Sequence, residues 1–184
     1  LEERTSTWFN GLNMSNVYYK DFKPESRQQY GGCSAWCINE TAYRVLKTGG
    51  DETGLGRWAW SILRGRNGII LRVIAAYRPV LSQYGATTVW NQQHTYFLEQ
   101  GEDKCPRILF NEHLTMAIKK WMEEGEQIVL GIDYNDPING KSDLEKRLKD
   151  IGVVNAIQHN HQSRAPPTRT PGTNTIDSIF CSKS

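Results

Sequence analysis

From Ile69 to Tyr77 the chain is an almost unbroken apolar segment rich in β-branched residues. Such a run offers no polar face to water, so it predicts a central strand buried within a sheet. Its borders agree. Gly65-Arg66-Asn67-Gly68 precedes it, and Asn-Gly is a strong hairpin signal. Pro79 closes it, because proline has no N–H to give to a sheet ladder. Before the turn, Arg57 to Arg64 alternates, with Trp58, Trp60 and Ile62 on one face. A second buried strand follows at Gln127 to Asp133, built on Ile-Val-Leu-Gly-Ile and ending in Asp-Tyr-Asn-Asp-Pro.

Helices fill the space between these strands. Thr87 to Gln100 reads as helical and is closed by Gly101. Arg107 to Glu124 carries Phe110, Leu114, Ile118 and Trp121 at spacings of three and four, with Gly125 as its stop. Ser142 to Ile151 opens on a capping box, Ser142 with Glu145, and presents Leu144, Leu148 and Ile151 as its apolar stripe. Val153 to Ile157 and Thr175 to Ser182 predict further strands around a polar, proline-rich loop at 158–174. Residues 1–30 read as an irregular segment packed by Trp8, Phe9, Val17, Tyr18, Tyr19 and Phe22. Cys33 to Cys37 alternates like an edge strand, and Glu40 to Lys47 is left open as a possible helix. This order suits a layered α/β (α+β) domain with a mixed sheet covered by helices.

Composition narrows the function class. Basic residues number 22 against 20 acidic, so a tail-driven polycation binder is excluded while a nuclease with a local basic groove is not. No apolar run approaches the length of a membrane span. No signal peptide is legible, which favours an intracellular, nuclear or cytoplasmic, protein. Cys33, Cys37, Cys105 and Cys181 form no C-x-x-C pair, so they are read as mostly buried thiols rather than a zinc site. His94 and His113 are expected on helix surfaces.

Four places can carry chemistry. The first is Asp133 with Asn135, two apart at the C-terminal end of a buried strand, where open α/β sheets put ligands. An Asp there can hold a cation or orient a water, and an Asn can donate to a phosphate oxygen. The same residues also make an ordinary strand-ending turn. The second is Tyr77, either a hydroxyl aimed at a phosphate or a core aromatic with a polar tip. The third is Asp177, which interrupts the last apolar strand after Pro166-Pro167-Thr168; it is either an inward carboxylate that needs a partner or an outward edge residue. The fourth, His159-Asn160-His161, has no third ligand at a recognisable spacing and reads as a solvated loop.

In order along the chain, Tyr77-x-Pro79, Asp133-x-Asn135, Thr168 and Ile176-Asp177 resemble the endonuclease/exonuclease/phosphatase superfamily, the DNase I-like fold. The glycine pairs ahead of them, Gly31-Gly32 and Gly54-Leu55-Gly56, look similar to its early hairpins. The resemblance covers roughly residues 28–184 and treats 1–184 as one partial domain. It implies a four-layer α/β sandwich that hydrolyses phosphate esters with Mg²⁺ or Mn²⁺, most often in nucleic acid. By matching position, it implies that Asp133 orients the attacking water and, with Asn135, belongs to the metal site. Asn135 would hold Asp133 and the scissile phosphate, Tyr77 would hydrogen-bond the phosphate, and Asp177 would orient a catalytic histidine. Trp58, Trp60 and Trp90-Asn91-Gln92-Gln93 look similar to nuclease domains of mobile elements.

The departures set expectations of their own. No strand-borne Glu precedes Gly31, since Glu2 and Glu3 lead no strand, and no Ser-Asp-His follows Asp177. Ile132 stands where the family usually has Gly. The expectation is a domain incomplete at both ends and nearly inactive, because loss of acid–base catalysis alone costs about 10²–10⁴-fold. The competing readings are an inactive scaffold of the same fold that binds nucleic acid or protein, and a phosphatase acting on lipid or nucleotide esters.

Overall fold

The computed structural model describes residues 11–19, 31–82, 87–161, 166–168 and 171–183. Trp8, Phe9, Phe22, Glu2 and Glu3 lie outside them. A six-stranded sheet organises the chain: β3 (Val45–Gly50), β4 (Trp58–Arg64), β5 (Ile70–Tyr77), β6 (Glu126–Asp133), β7 (Val153–Asn155) and β8 (Asp177–Ser182), in the spatial order β3-β4-β5-β6-β8-β7. The apolar run of β5 does sit in the interior, between antiparallel β4 and parallel β6. A parallel pair cannot be joined by a tight turn. The chain meets this requirement with α1 (Val89–Glu99) and α2 (Pro106–Glu123), which lie between β5 and β6 in sequence.

The periodicity of α2 is realised as written. Phe110, Leu114 and Ile118 are fully buried against Trp58 and Ile74 and the even-numbered face of β6, Ile128, Leu130 and Ile132. Burying each such side chain contributes about 1.5–3 kcal/mol. Helix α3 (Asp143–Asp150) has the expected capping box, with the Ser142 hydroxyl accepting from Glu145 N–H and the Glu145 carboxylate accepting from Ser142 N–H. Leu144 and Leu148 join the same core.

On the other face lies a two-stranded antiparallel sheet, β1 (Leu12–Val17) and β2 (Cys33–Ile38). It packs across β3, β4 and β5. The approach is close: the Ser15 hydroxyl donates to Gly49 C=O at 2.6 Å, and a Cβ on Gly50 would stand 2.3 Å from a Val17 methyl. Helices, mixed sheet and second sheet therefore stack as layers, as the α/β reading requires.

Three local expectations need correction. β1 is a regular strand within the segment expected to be irregular, and Glu40 to Lys47 forms no α-helix but a 3₁₀ turn (Asn39–Arg44) that leads into β3. Residues 156–161 form a short helix, α4 (Ala156–His161), rather than strand and loop. His94 and His113 are half-buried rather than on the surface; His94 stacks on Trp90, and His113 accepts a hydrogen bond from a buried arginine. All four cysteines are free, Cys37 buried and the others half-buried. Among the described residues no helix is long and apolar enough to cross a membrane.

Candidate active site

Parallel strands β5 and β6 end together, with Tyr77 opposite Asp133. Antiparallel β8 starts at the same level, with Asp177 opposite Asp133. Directly opposed residues on adjacent strands project to one face of a sheet. Tyr77, Asp133 and Asp177 therefore form a single row across three strands. Their neighbours Ala76, Ile132 and Ser178 point the other way and are buried. Alternation places this row on the face opposite α2.

The row is electrostatically loaded. Burial, and then the charge of Asp177, push the Asp133 carboxyl above the usual carboxylate range, while the backbone and side chain of Asn135 pull it back. One carboxylate oxygen of Asp133, Oδ1, is buried with no hydrogen-bond partner among the described residues. Burial and the Asp133 charge also raise the Tyr77 phenol, against a hydrogen bond from the Val80 backbone. Tyr77 therefore keeps its proton at neutral pH and is a donor.

Asn135 supports the row from behind. Its backbone takes the left-handed conformation, φ 51°, which Asn tolerates better than most residues. Its Nδ2 donates to Arg78 C=O at 2.9 Å and also serves Asp133, leaving Oδ1 as its unspent polar atom. Two buried arginines pin the loops after β5 and β6 together. Arg107 donates to Pro79 C=O at 2.8 Å, to Asn135 C=O at 3.2 Å and to Asp136 Oδ2 at 2.9 Å. Arg78 donates to Asp136 at 3.3 Å, and its guanidinium lies 4.3 Å from the centre of the Tyr134 ring. Thr168 fixes the start of β8: its Oγ1 accepts from Ile176 N–H at 2.9 Å and from Asp177 N–H at 3.1 Å.

Residues that sequence reasoning passed over also hold the row. The Arg57 carbonyl accepts from Tyr77 N–H at 3.0 Å and from the Cys33 thiol at 3.3 Å. Burial pushes the Cys33 thiol up to about 12, so it is an inert packing group rather than a nucleophile. The Arg57 side chain is fully buried, paired with Asp51 at 2.6 and 2.9 Å, and donates to His113 Nδ1 at 3.2 Å. Arginine is rarely buried, so no pattern in the sequence marks Arg57, Arg78 or Arg107 for these positions. His159 projects into solvent from α4, and the His161 side chain lies outside the described residues.

The donor set suits a hard divalent cation. Asp133 Oδ1 is unpartnered, Asp177 crowds it with like charge, and Asn135 Oδ1 is available, all of them oxygen. Mg²⁺ is commonly held by one or two carboxylates, with substrate and water completing the shell. Among the described residues there is no group of three or more His, Cys, Asp or Glu that could hold a metal by itself.

No protein-family model matches the sequence, and no curated protein does. Solved structures do match. The human Nocturnin catalytic domain, solved with a bound sulfate anion, superposes with a TM-score of 0.62 at 13% identity, covering 99% of this chain and 64% of that one. The 3′ phosphatase NExo from Neisseria, bound to a product DNA hairpin, gives 0.57 at 14% identity, with 98% and 69% covered. The Xenopus laevis APE2 catalytic domain gives 0.56 at 12% identity, with 95% and 67% covered. The chain thus spans about two thirds of the length of these structures and has the DNase I-like fold of the endonuclease/exonuclease/phosphatase proteins.

Proposed function

We propose that this chain is a metal-dependent phosphoesterase, an endonuclease that hydrolyses nucleic-acid phosphodiesters. The observation that carries the reading is the single row Tyr77–Asp133–Asp177 at the meeting end of three strands of this fold. A nucleic-acid substrate is supported by the same fold in a 3′ phosphatase bound to a DNA hairpin.

In this reading each residue has a defined task. Asp133, with one free and buried carboxylate oxygen, orients the attacking water. Asn135 holds Asp133 in place and offers its own amide oxygen to a cation. Tyr77, kept protonated, donates to the phosphoryl oxygen where charge grows in the transition state, and a donor of this kind is typically worth about 10²–10³ in rate. Asp177 would orient a catalytic histidine, a group that the row itself does not contain. A bound Mg²⁺ or Mn²⁺ neutralises phosphoryl charge and lowers the pKa of water from about 15.7 towards about 7.

The test is hydrolysis of a plasmid, an oligonucleotide and a phosphate monoester by the full chain, with Mg²⁺ and with a chelator. Cleavage by this chain should be weak, about 10²–10⁴-fold below that of a domain with its acid–base histidine, and should be chelator-sensitive, disappear in Asp133→Ala and fall in Asn135→Ala. Equal hydrolysis in both variants would overturn the site. A second reading is an inactive scaffold of the same fold that binds nucleic acid. Folded protein that binds oligonucleotide but never hydrolyses it decides for that reading.

A further inference from the structure

Strand β5 runs from the catalytic row at Tyr77 to its other end at Ile70, which faces the turn after β4. At about 3.3 Å per residue this separates the two ends by about 23 Å. At the far end, Tyr43, Arg44, Leu46, Arg64, Gly65 and Arg66 line one cavity of about 380 Å³. Three of these six residues are arginines, and none of the six is acidic. Among the described residues, Arg44, Arg64 and Arg66 enter no ion pair, whereas Arg57, Arg72, Arg78, Arg107 and Arg147 all do. All three are exposed.

The backbone gathers them deliberately. Arg64 ends β4, Arg66 opens the 3₁₀ turn that leads into β5, and Arg44 ends the 3₁₀ turn before β3. Asn67 and Gly68 both take left-handed backbone, φ 55° and 79°, which keeps the turn tight beneath the arginines. Beside them stand two exposed apolar groups, the Tyr43 ring at 77% exposure and Leu46 at 48%. In a chain of net charge +2, three guanidiniums that enter no ion pair among the described residues line this one cavity, a concentration of positive charge that favours an anion. Arginines that take phosphates next to a solvent-exposed aromatic ring match the needs of single-stranded nucleic acid. The lipid surface is a poorer fit, since nothing in the lining is a long apolar side chain beyond Leu46.

We infer that this cavity anchors single-stranded nucleic acid by its phosphates, with Tyr43 stacking a base, at the end of the sheet remote from the catalytic row. The choice of nucleic acid rests on the reading of the catalytic row as a nuclease, but the site uses none of the same residues. It makes a polymer, rather than a free phosphate ester, the preferred ligand.

The experiment measures fluorescence anisotropy of a labelled 20-nucleotide single-stranded DNA, with chelator present, between 50 and 200 mM salt. Each phosphate neutralised on a single strand contributes about 0.7 to the log–log salt slope, so three contribute about 2. The triple variant Arg44→Gln, Arg64→Gln, Arg66→Gln should have a slope shallower by about 2; wild type then loses about 18-fold more affinity than the variant over that range. Tyr43→Ala should weaken binding roughly 5- to 150-fold with the slope unchanged. Wild-type protein that binds the DNA but does not hydrolyse it when Mg²⁺ replaces the chelator defeats only the nuclease reading. An unchanged slope in the triple variant defeats the anchor, as does a triple variant that loses binding to phosphatidylserine vesicles but not to DNA. If the triple variant does not fold, an unaltered affinity in Tyr43→Ala defeats it equally.

Discussion

Replacing Asp51 by Ala should unfold this protein far more readily than a surface change would. Asp51 and Arg57 are each 1% exposed, and the pair is bidentate. Removing the carboxylate strands a guanidinium between Trp58 and Phe97, at 4.5 and 5.4 Å from their ring centres, with His113 as its remaining hydrogen-bonded side chain among the described residues. Breaking a buried pair from one side costs about 3–5 kcal/mol. With a urea dependence of roughly 2 kcal/mol per M, the unfolding midpoint falls by about 2 M. The pH dependence has a definite sign. Burial pushes the Asp51 carboxyl up, but the hydrogen bond and charge of Arg57 and the bonds from Thr53 outweigh it, so the group lies below its usual range. A depressed carboxyl stabilises the fold above its unfolded pKa of about 3.9, and that stability is lost as pH falls through the folded value. The gap between wild type and variant should therefore be full at pH 7 and close in acid below about pH 4. Urea melts followed by tryptophan fluorescence at several pH values measure it. A loss below about 1 kcal/mol at pH 7, or a gap that does not narrow in acid, would refute the account.

Asp133→Asn should run the other way. Burial and Asp177 raise the Asp133 carboxyl, so the folded state holds that proton more tightly than the unfolded one and wild-type stability declines as pH rises from about 4 through the folded pKa. The variant should lack this decline and be the more stable protein at pH 7; a lower melting temperature than wild type there contradicts it. Thr168→Val removes the acceptor of two backbone N–H groups at the start of β8, a loss of about 1–3 kcal/mol. Because Asp177 is one of those two residues, cleavage should fall in the variant at a temperature where circular dichroism shows it folded, and unaltered cleavage would separate Thr168 from the site.

Much of the architecture was legible because burial writes period into sequence. β5 and β6 are apolar runs with sharp ends, and α2 and α3 carry their stripes and stops. β1, Leu-Asn-Met-Ser-Asn-Val, and β3, Val-Leu-Lys-Thr-Gly-Gly, carry no such pattern. Their pairing is set by the neighbours they find, and Gly49 and Gly50 in β3 are there to be approached, not to signal a strand. α4 is six residues long, too short for local preference to announce it. Tyr77, Asp133 and Asp177 stood out as polar groups at the ends of apolar strands. That they share one row was not legible, because register between distant strands is decided by the tertiary structure. The clamp of Arg78, Arg107 and Asp136 was hidden for a different reason: two buried arginines meeting a half-exposed carboxylate leave no periodic trace in a sequence.

The row has one more property. Tyr77 and Asp133 are 56 residues apart (133 − 77), and Asp133 and Asp177 are 44 apart (177 − 133). Closing loops of that length costs chain entropy before any contact between their ends returns it. The α2 and α3 helices and the β4–β5 hairpin are local and can form early. Both closures must be complete before all three residues stand in one row, so the row forms only once these long-range pairings are made. A chain stalled before that point would hold much of its secondary structure and none of its site, which makes the row itself a reporter of complete folding.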